Sequence, residues 1–201
     1  MTIRRTSKTP RPLRGTPEET RTRLVAAAAQ VFNRSGYHGT DSNRIARAAG
    51  YSPGTFYKHF ADKREIFLAA FQEWVDQEWK AIEREVAVAR DPEALARRIV
   101  ELTLRLHLRW RGLRASMLAL VGSEPVVRRF HRAQRRRQLG VLAALRKRRR
   151  VPPRPPEEDL VLLFTMERTC DAVALGELRD LGLSRRAVVE ALCATVRRHV
   201  F

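Results

Sequence analysis

Residues Gly50, Tyr51, Ser52, Pro53 and Gly54 fit two different chemistries with one spacing. Read as G-x-S-x-G, they have the form of a nucleophile elbow, where a serine sits on a sharp turn from a strand into a helix. That chemistry needs a sheet, a histidine and an acid, and the flanking sequence offers helix signals on both sides and no strand. Read instead as a helix start, Ser52 is the N-cap and Pro53 the first residue, where its missing N–H costs nothing. Ser52, Pro53, Gly54 and Thr55 then form the blunt end of a short helix that can approach base edges. Pro53 and Gly54 offer no side-chain hydrogen bond. Thr55 and Lys58 do, and a lysine reaches guanine O6 and N7. The chemistry is nucleic-acid recognition without catalysis.

The elements that must position these residues lie within Thr40 to Phe60. Thr40 is expected to cap a first short helix. Ile45, Ala48 and Ala49 give it a small apolar face. Gly50 stops it in a left-handed conformation that glycine adopts without steric cost. Two short helices joined by a tight turn of small residues make a helix-turn-helix. Phe56 and Phe60, four apart, are expected to face inward toward Phe32 and Ile45.

The run G-Y-S-P-G-T-F-Y-K-H-F-A-D-K-R-E from Gly50 to Glu65, with Ile45-Ala46 and the G-Y-x-G-T of Gly36 to Thr40 before it, resembles TetR-type (TetR/AcrR-like) transcriptional regulators. The resemblance covers about the first third of the chain. It implies DNA contacts at Thr40, Asn43, Ser52, Pro53, Gly54, Thr55, Tyr57, Lys58, His59 and Lys63, with Tyr57, His59, Lys63 and Thr40 at phosphate-contacting positions. Two residues depart from the pattern. Tyr51 replaces a small aliphatic residue, and Asn43 stands near a position that often carries a base-reading arginine.

The chain has 201 residues, with 40 Lys and Arg against 22 Asp and Glu, a formal charge of +18. That balance favours a polyanionic partner. Cys170 and Cys193 are too few for a disulfide framework, which fits a reducing cytoplasm. No apolar run approaches the roughly 20 residues of a membrane span, so no membrane partner is expected. The five histidines are too dispersed for a metal site. No cofactor motif occurs, and an enzyme is not expected.

Residues 1–15 hold Arg4, Arg5, Lys8, Arg11 and Arg14 with two prolines and no acid, which reads as a disordered basic arm. It would follow phosphates or enter a minor groove. Residues 16–61 form the DNA-binding head. Thr16-Pro17-Glu18-Glu19 opens its first helix with a capping box, and Gly36 closes it. Residues 62–201 form the body, entered by a long helix that starts at a second capping box, Asp62 to Glu65. Further helices are expected from Pro92, from Trp110 to a stop at Gly122, from Pro125, from Glu157 to Leu178, and from Ser184. Val151 to Pro156 is expected to be a stiff, non-helical linker. The fold is all-α, with about nine helices.

The resemblance further implies that the body binds a small, largely apolar inducer and that its last two helices dimerise. His107, Trp110, Met117, Phe130, Phe164 and Met166 are the pocket candidates. Leu160, Phe164, Ala174, Val188, Leu192 and Val196 are the interface candidates, because two terminal helices carry more apolar surface than they could bury alone. A basic block without acids runs from Arg128 to Arg150, with positions 128, 132, 135 and 136 expected on one helical face. The leading expectation is a cytoplasmic, homodimeric repressor released from a palindromic double-stranded DNA operator by the inducer. The alternative is a nonspecific nucleoid- or RNA-associated protein that uses its charge alone.

Overall fold

The computed structural model describes residues 15–200, so the basic arm lies outside the described residues apart from Gly15. Ten helices and no strand occur among them. Two compact units divide between Ala70 and Phe71, inside the fourth helix rather than at its start.

The first unit holds α1 (Pro17–Ser35), α2 (Ser42–Ala48), α3 (Pro53–His59) and the opening of α4 (Lys63–Val88). The expected punctuation explains these boundaries. At α1, Thr16 accepts from the Glu19 amide while the Glu19 carboxylate accepts from the Thr16 amide, so two orphan donors are satisfied. Gly36 ends α1 at φ 68°, and Gly50 follows α2 at φ 79°, both conformations that cost an L-residue. At α4, Asp62 accepts from the Glu65 amide at 2.8 Å, but Glu65 reaches back to Ala61 N, one residue earlier than a standard box. Leu24, Phe32, Ile45, Phe56, Phe60 and Phe67 form a core that is 0–1% exposed. Phe32 meets Phe67 edge-on at 5.0 Å between ring centres.

The second unit contains the rest of α4, then α5 (Pro92–Arg109), α6 (Arg111–Ser123), α7 (Pro125–Arg149), α8 (Pro156–Leu175), α9 (Glu177–Asp180) and α10 (Arg185–Val200). Its central layer is α5, packed against both α8 and α10, while α7 packs on α6 and α8. Two expected boundaries differ. Gly122 does not end α6, which runs through it to Ser123. The single helix expected to reach Leu178 breaks instead at Gly176, φ 83°, and a short α9 follows, giving ten helices. Cys170 and Cys193 are both buried free thiols. Burial pushes the Cys170 thiol up to about 12.

Candidate nucleic-acid interface and body cavity

In α3 the packing decides which residues face outward. Phe56 and the following Phe60 are buried, so the intervening side chains turn away from the core. Ser52, Pro53, Gly54, Tyr57 and Lys58 are exposed, and Thr55 and His59 are half-buried. Tyr57 keeps 57% of its surface open, with its ring edge-on to Phe56. Ser52 caps the helix by accepting from Thr55 N, and the two hydroxyls lie 3.1 Å apart. Thr55 is thus held by the cap while its neighbours at the helix end carry no large side chain. A Cβ added at Gly54 would meet only Ser52 Oγ, at 3.9 Å. Gly54 therefore leaves open space where a base edge could approach.

Thr40 has a different role from the expected one. Asp41 is the N-cap of α2, accepting from Arg44 N at 2.8 Å. Thr40 is 4% exposed, and its hydroxyl donates back to Gly36 O at 2.8 Å, which ties the end of α1 to the start of α2. Lys63 also points into the fold. Its ammonium donates to the carbonyls of Tyr37 and Thr40, each at 3.0 Å, and lies 4.2 Å above the Tyr37 ring. Asn43 is exposed on α2, as is Arg47, a cation the sequence reading passed over. Tyr51 is buried at the turn, with its hydroxyl 3.4 Å from Arg23 Nη1. Its bulk goes into packing, so this departure from the motif leaves the exposed face unchanged.

The body contains a narrow, largely apolar cavity between α4, α5, α7, α8 and α10. Of the six pocket candidates only Met166 lines it. His107 and Met117 are buried elsewhere, Trp110 and Phe130 are half-buried, and Phe164 is 50% exposed beneath the Arg135 guanidinium. The sequence reading missed Trp79, Ile82, Leu142 and Leu163 on the walls, and the polar residues Glu78, Thr103, Gln138, Glu167 and Arg146. One signal was available. Glu78 falls on the stripe of Phe71, Trp74, Val75, Trp79 and Ile82, an acid where a core residue belongs.

A buried charge network adjoins the cavity. His107 Nδ1 and Arg114 Nε both reach Asp171 Oδ1, at 3.0 and 2.5 Å. Arg114 also donates to Glu167, and Arg135 grips the same carboxylate with two nitrogens. Burial pushes the Glu167 carboxyl up, but the hydrogen bonds from Arg135 and the charges of Arg114 and Arg135 outweigh it and hold the group at about 2. Burial raises the Glu78 carboxyl, opposed by His107, whose Nε2 lies 4.0 Å away. Toward the other end of the cavity, Arg146 and Asp159 form a buried bidentate pair that His199 joins at 2.8 Å. Arg135 therefore faces inward, and the expected shared face of positions 128, 132, 135 and 136 splits. Arg132 and Arg136 are exposed, and Arg128 caps the carbonyls of Val121 and Gly122.

Among the interface candidates, Ala174, Leu192 and Val196 are buried within the single chain, Leu160 and Val188 are half-buried, and Phe164 is exposed. Val161, Leu175, Leu181 and Leu183 are large apolar groups left open on the same stretch.

These elements define a helix-turn-helix protein with a helical body. Residues 24–70 match the family described as bacterial regulatory proteins, tetR family. The first unit therefore carries a helix-turn-helix head of TetR type, on a chain that is all-α among its described residues. The chain is 34% identical over 84 residues to the HTH-type transcriptional activator FasR of Mycolicibacterium smegmatis, a match covering 42% of this chain and 38% of the relative. It is 32% identical over 75 residues to the fatty acid metabolism regulator protein of Bacillus subtilis, covering 36% and 39%. The matched stretch thus spans under two-fifths of these relatives. Solved structures extend the fold to nearly the whole chain. A TetR-family regulator structure from Mesorhizobium loti aligns with TM-score 0.72 at 21% identity, over 93% of this chain and 98% of that one. The fatty acid degradation regulator FadR of Bacillus halodurans aligns with TM-score 0.66 at 20% identity, over 92% and 96%.

Proposed function

We propose that the protein is a homodimeric transcriptional repressor that binds a palindromic operator through α3 and is released by a small, largely apolar effector held in the body cavity. The observation that carries the reading is the sorting of α3. Phe56 is wholly buried while Pro53, Gly54, Tyr57 and Lys58 stand open around a free helix end. Such an end, entering a major groove, puts Thr55 and Lys58 near base edges and Tyr57 near phosphate. One head alone has too small a footprint for a tight specific site, so two are needed. The exposed Val161, Phe164 and Leu175 on α8 support pairing of the α8 and α10 region with a second copy. Two relatives have names that refer to fatty acid metabolism, which supports a slender apolar effector. The test is selection of binding sites from random duplexes, followed by footprinting. Recovery of an inverted repeat, with half-sites about one helical turn apart, is expected. Binding that ignores sequence would favour the nonspecific alternative. Since one relative is named an activator, transcription from the recovered site settles the sign of regulation.

A further inference from the structure

The body carries its surplus charge on one helix. Residues 71–201 hold 27 Lys and Arg against 17 Asp and Glu. Eleven of those cations, and none of the acids, fall between residues 125 and 150, the span of α7 and its cap. Five of the eleven are already engaged. Arg135, Arg137 and Arg146 meet Glu167, Asp76 and Asp159, while Arg128 and Arg149 hold backbone carbonyls. The other six, Arg129, Arg132, Arg136, Lys147, Arg148 and Arg150, are exposed and meet no acid among the described residues. Four of them form a line. At 3.6 residues per turn, Arg129, Arg132, Arg136 and Lys147 fall within an arc of about 60° along about 27 Å of helix. The positions between them on that arc are small, with Ala133, Gly140 and Ala143 exposed. Within the fold this line is unfavourable. Arg132 stands three residues from Arg129 and four from Arg136, spacings at which like charges repel. The helix dipole favours Lys147 at the C-terminal end but opposes Arg129 near the N-terminal one. An external row of anions would turn that repulsion into attraction.

We propose that this face of α7 is a second duplex-DNA site, which binds phosphates without regard to sequence while the head holds another segment. The chemistry of the arc selects this partner. Protein interfaces centre on aromatic and other well-packed anchors, and a helix lying on a membrane buries an apolar face. Between Arg129 and Lys147 the arc offers neither. A duplex backbone asks only for spaced cations, and 27 Å of stripe matches about eight base pairs. The proposal rests on the DNA-binding reading of the head and adds a second surface to it. It does not depend on which sequence the head selects.

The full-length protein is loaded onto a bead-bound duplex of about 20 base pairs in about 50 mM salt, and capture of a second, fluorescent duplex is measured. Capture is expected. A variant with Arg129→Gln, Arg132→Gln, Arg136→Gln and Lys147→Gln together should stay on the beads but capture at least about tenfold less, the scale of several lost phosphate contacts. A control with Arg84→Gln, Arg90→Gln, Arg105→Gln and Arg111→Gln removes the same charge from other exposed sites and should still capture. If the fourfold stripe variant loses its helical circular dichroism, Arg132→Gln with Arg136→Gln replaces it, with a smaller loss expected. Three results overturn the proposal: no capture by the natural chain, undiminished capture by the stripe variant, or equal loss in the control, which would make net charge the cause. The first of these, with the beads still loaded, leaves the head reading standing. A stripe variant that no longer loads onto the beads makes α7 the DNA surface and sinks the head reading instead. Phosphatidylserine vesicles bound more tightly than duplex, through the same four residues, would assign the stripe to a membrane surface and overturn the proposal.

Discussion

The two units of this chain hold themselves together in different ways. In the head, the buried side chains are aliphatic and aromatic, and among the described residues its only buried polar ones are Thr20 and Thr40. In the body, Glu78, His107, Arg114, Arg146, Asp159 and Asp171 are all buried. A hydrocarbon core tolerates no unpaired charge but asks little of specific partners beyond volume. A buried ion network must be complete, because each missing partner strands another charge. The head can therefore be recognised from spacing alone. The body's interior depends on pairs distant in sequence.

The strongest way to break this comparison is to remove one cation. Arg114→Ala should cost about 3–5 kcal/mol, because it takes one of two guanidinium groups from Glu167 and leaves Asp171 with His107 alone in the interior. Urea unfolding followed by circular dichroism would measure it. A loss under about 1 kcal/mol would mean that water already screens the network.

Acid tests the same network without mutation. Glu167 is held at about 2 against an ordinary 4.5. A depressed carboxyl stabilises the fold fully above its unfolded value and loses that contribution as pH falls through the folded one. Body stability should therefore decline between about pH 4.5 and pH 2, and Glu167→Gln should flatten that decline. Glu78 has the opposite sign. Its raised value makes its contribution most favourable in acid and lost as pH rises. The pH dependence of thermal unfolding in Glu167→Gln and in Glu78→Gln separates the two contributions.

On the head, the effects are smaller and fall on binding. Lys58→Ala should cost about 1–3 kcal/mol on the operator if the lysine reads a base. Equal losses on operator and scrambled DNA, measured by fluorescence anisotropy, would reassign it to phosphate. Asp41→Ala should cost about 1 kcal/mol of head stability through the lost cap on α2, whereas Thr40→Ser, which keeps the hydroxyl, should cost less. A negligible loss in Asp41→Ala would mean that its carboxylate does not hold the start of α2.

How much could be read in advance follows from the same contrast. The Thr16–Glu19 box, Ser52-Pro53, Asp91-Pro92 and Gly36 mark helix ends with local chemistry, and the helices end near them. Asp41 was passed over for Thr40 because both are good caps and only the Gly36 carbonyl decides between them. The exposed face of α3 was legible because Phe56 and Phe60 fix it. The cavity was not. Helical spacing marks Leu163 as interior, but nothing in it says that two interior faces leave a gap. Nor does it show that Arg114 will meet Asp171, 57 residues away. The acids on apolar stripes, Glu78 and Asp171, were the local trace of that network.

The burial of both thiols has a practical consequence. Cys170 and Cys193 are 1% and 2% exposed, and burial raises the pKa of each. A maleimide reacts with thiolate it can reach, so the natural chain should stay unlabelled under conditions that modify a surface cysteine. Single cysteines placed at the exposed Glu18 or Leu183 could then carry fluorophores or spin labels without first removing the native pair. Distances between probes on two copies of α1 could be followed directly as DNA or effector is added.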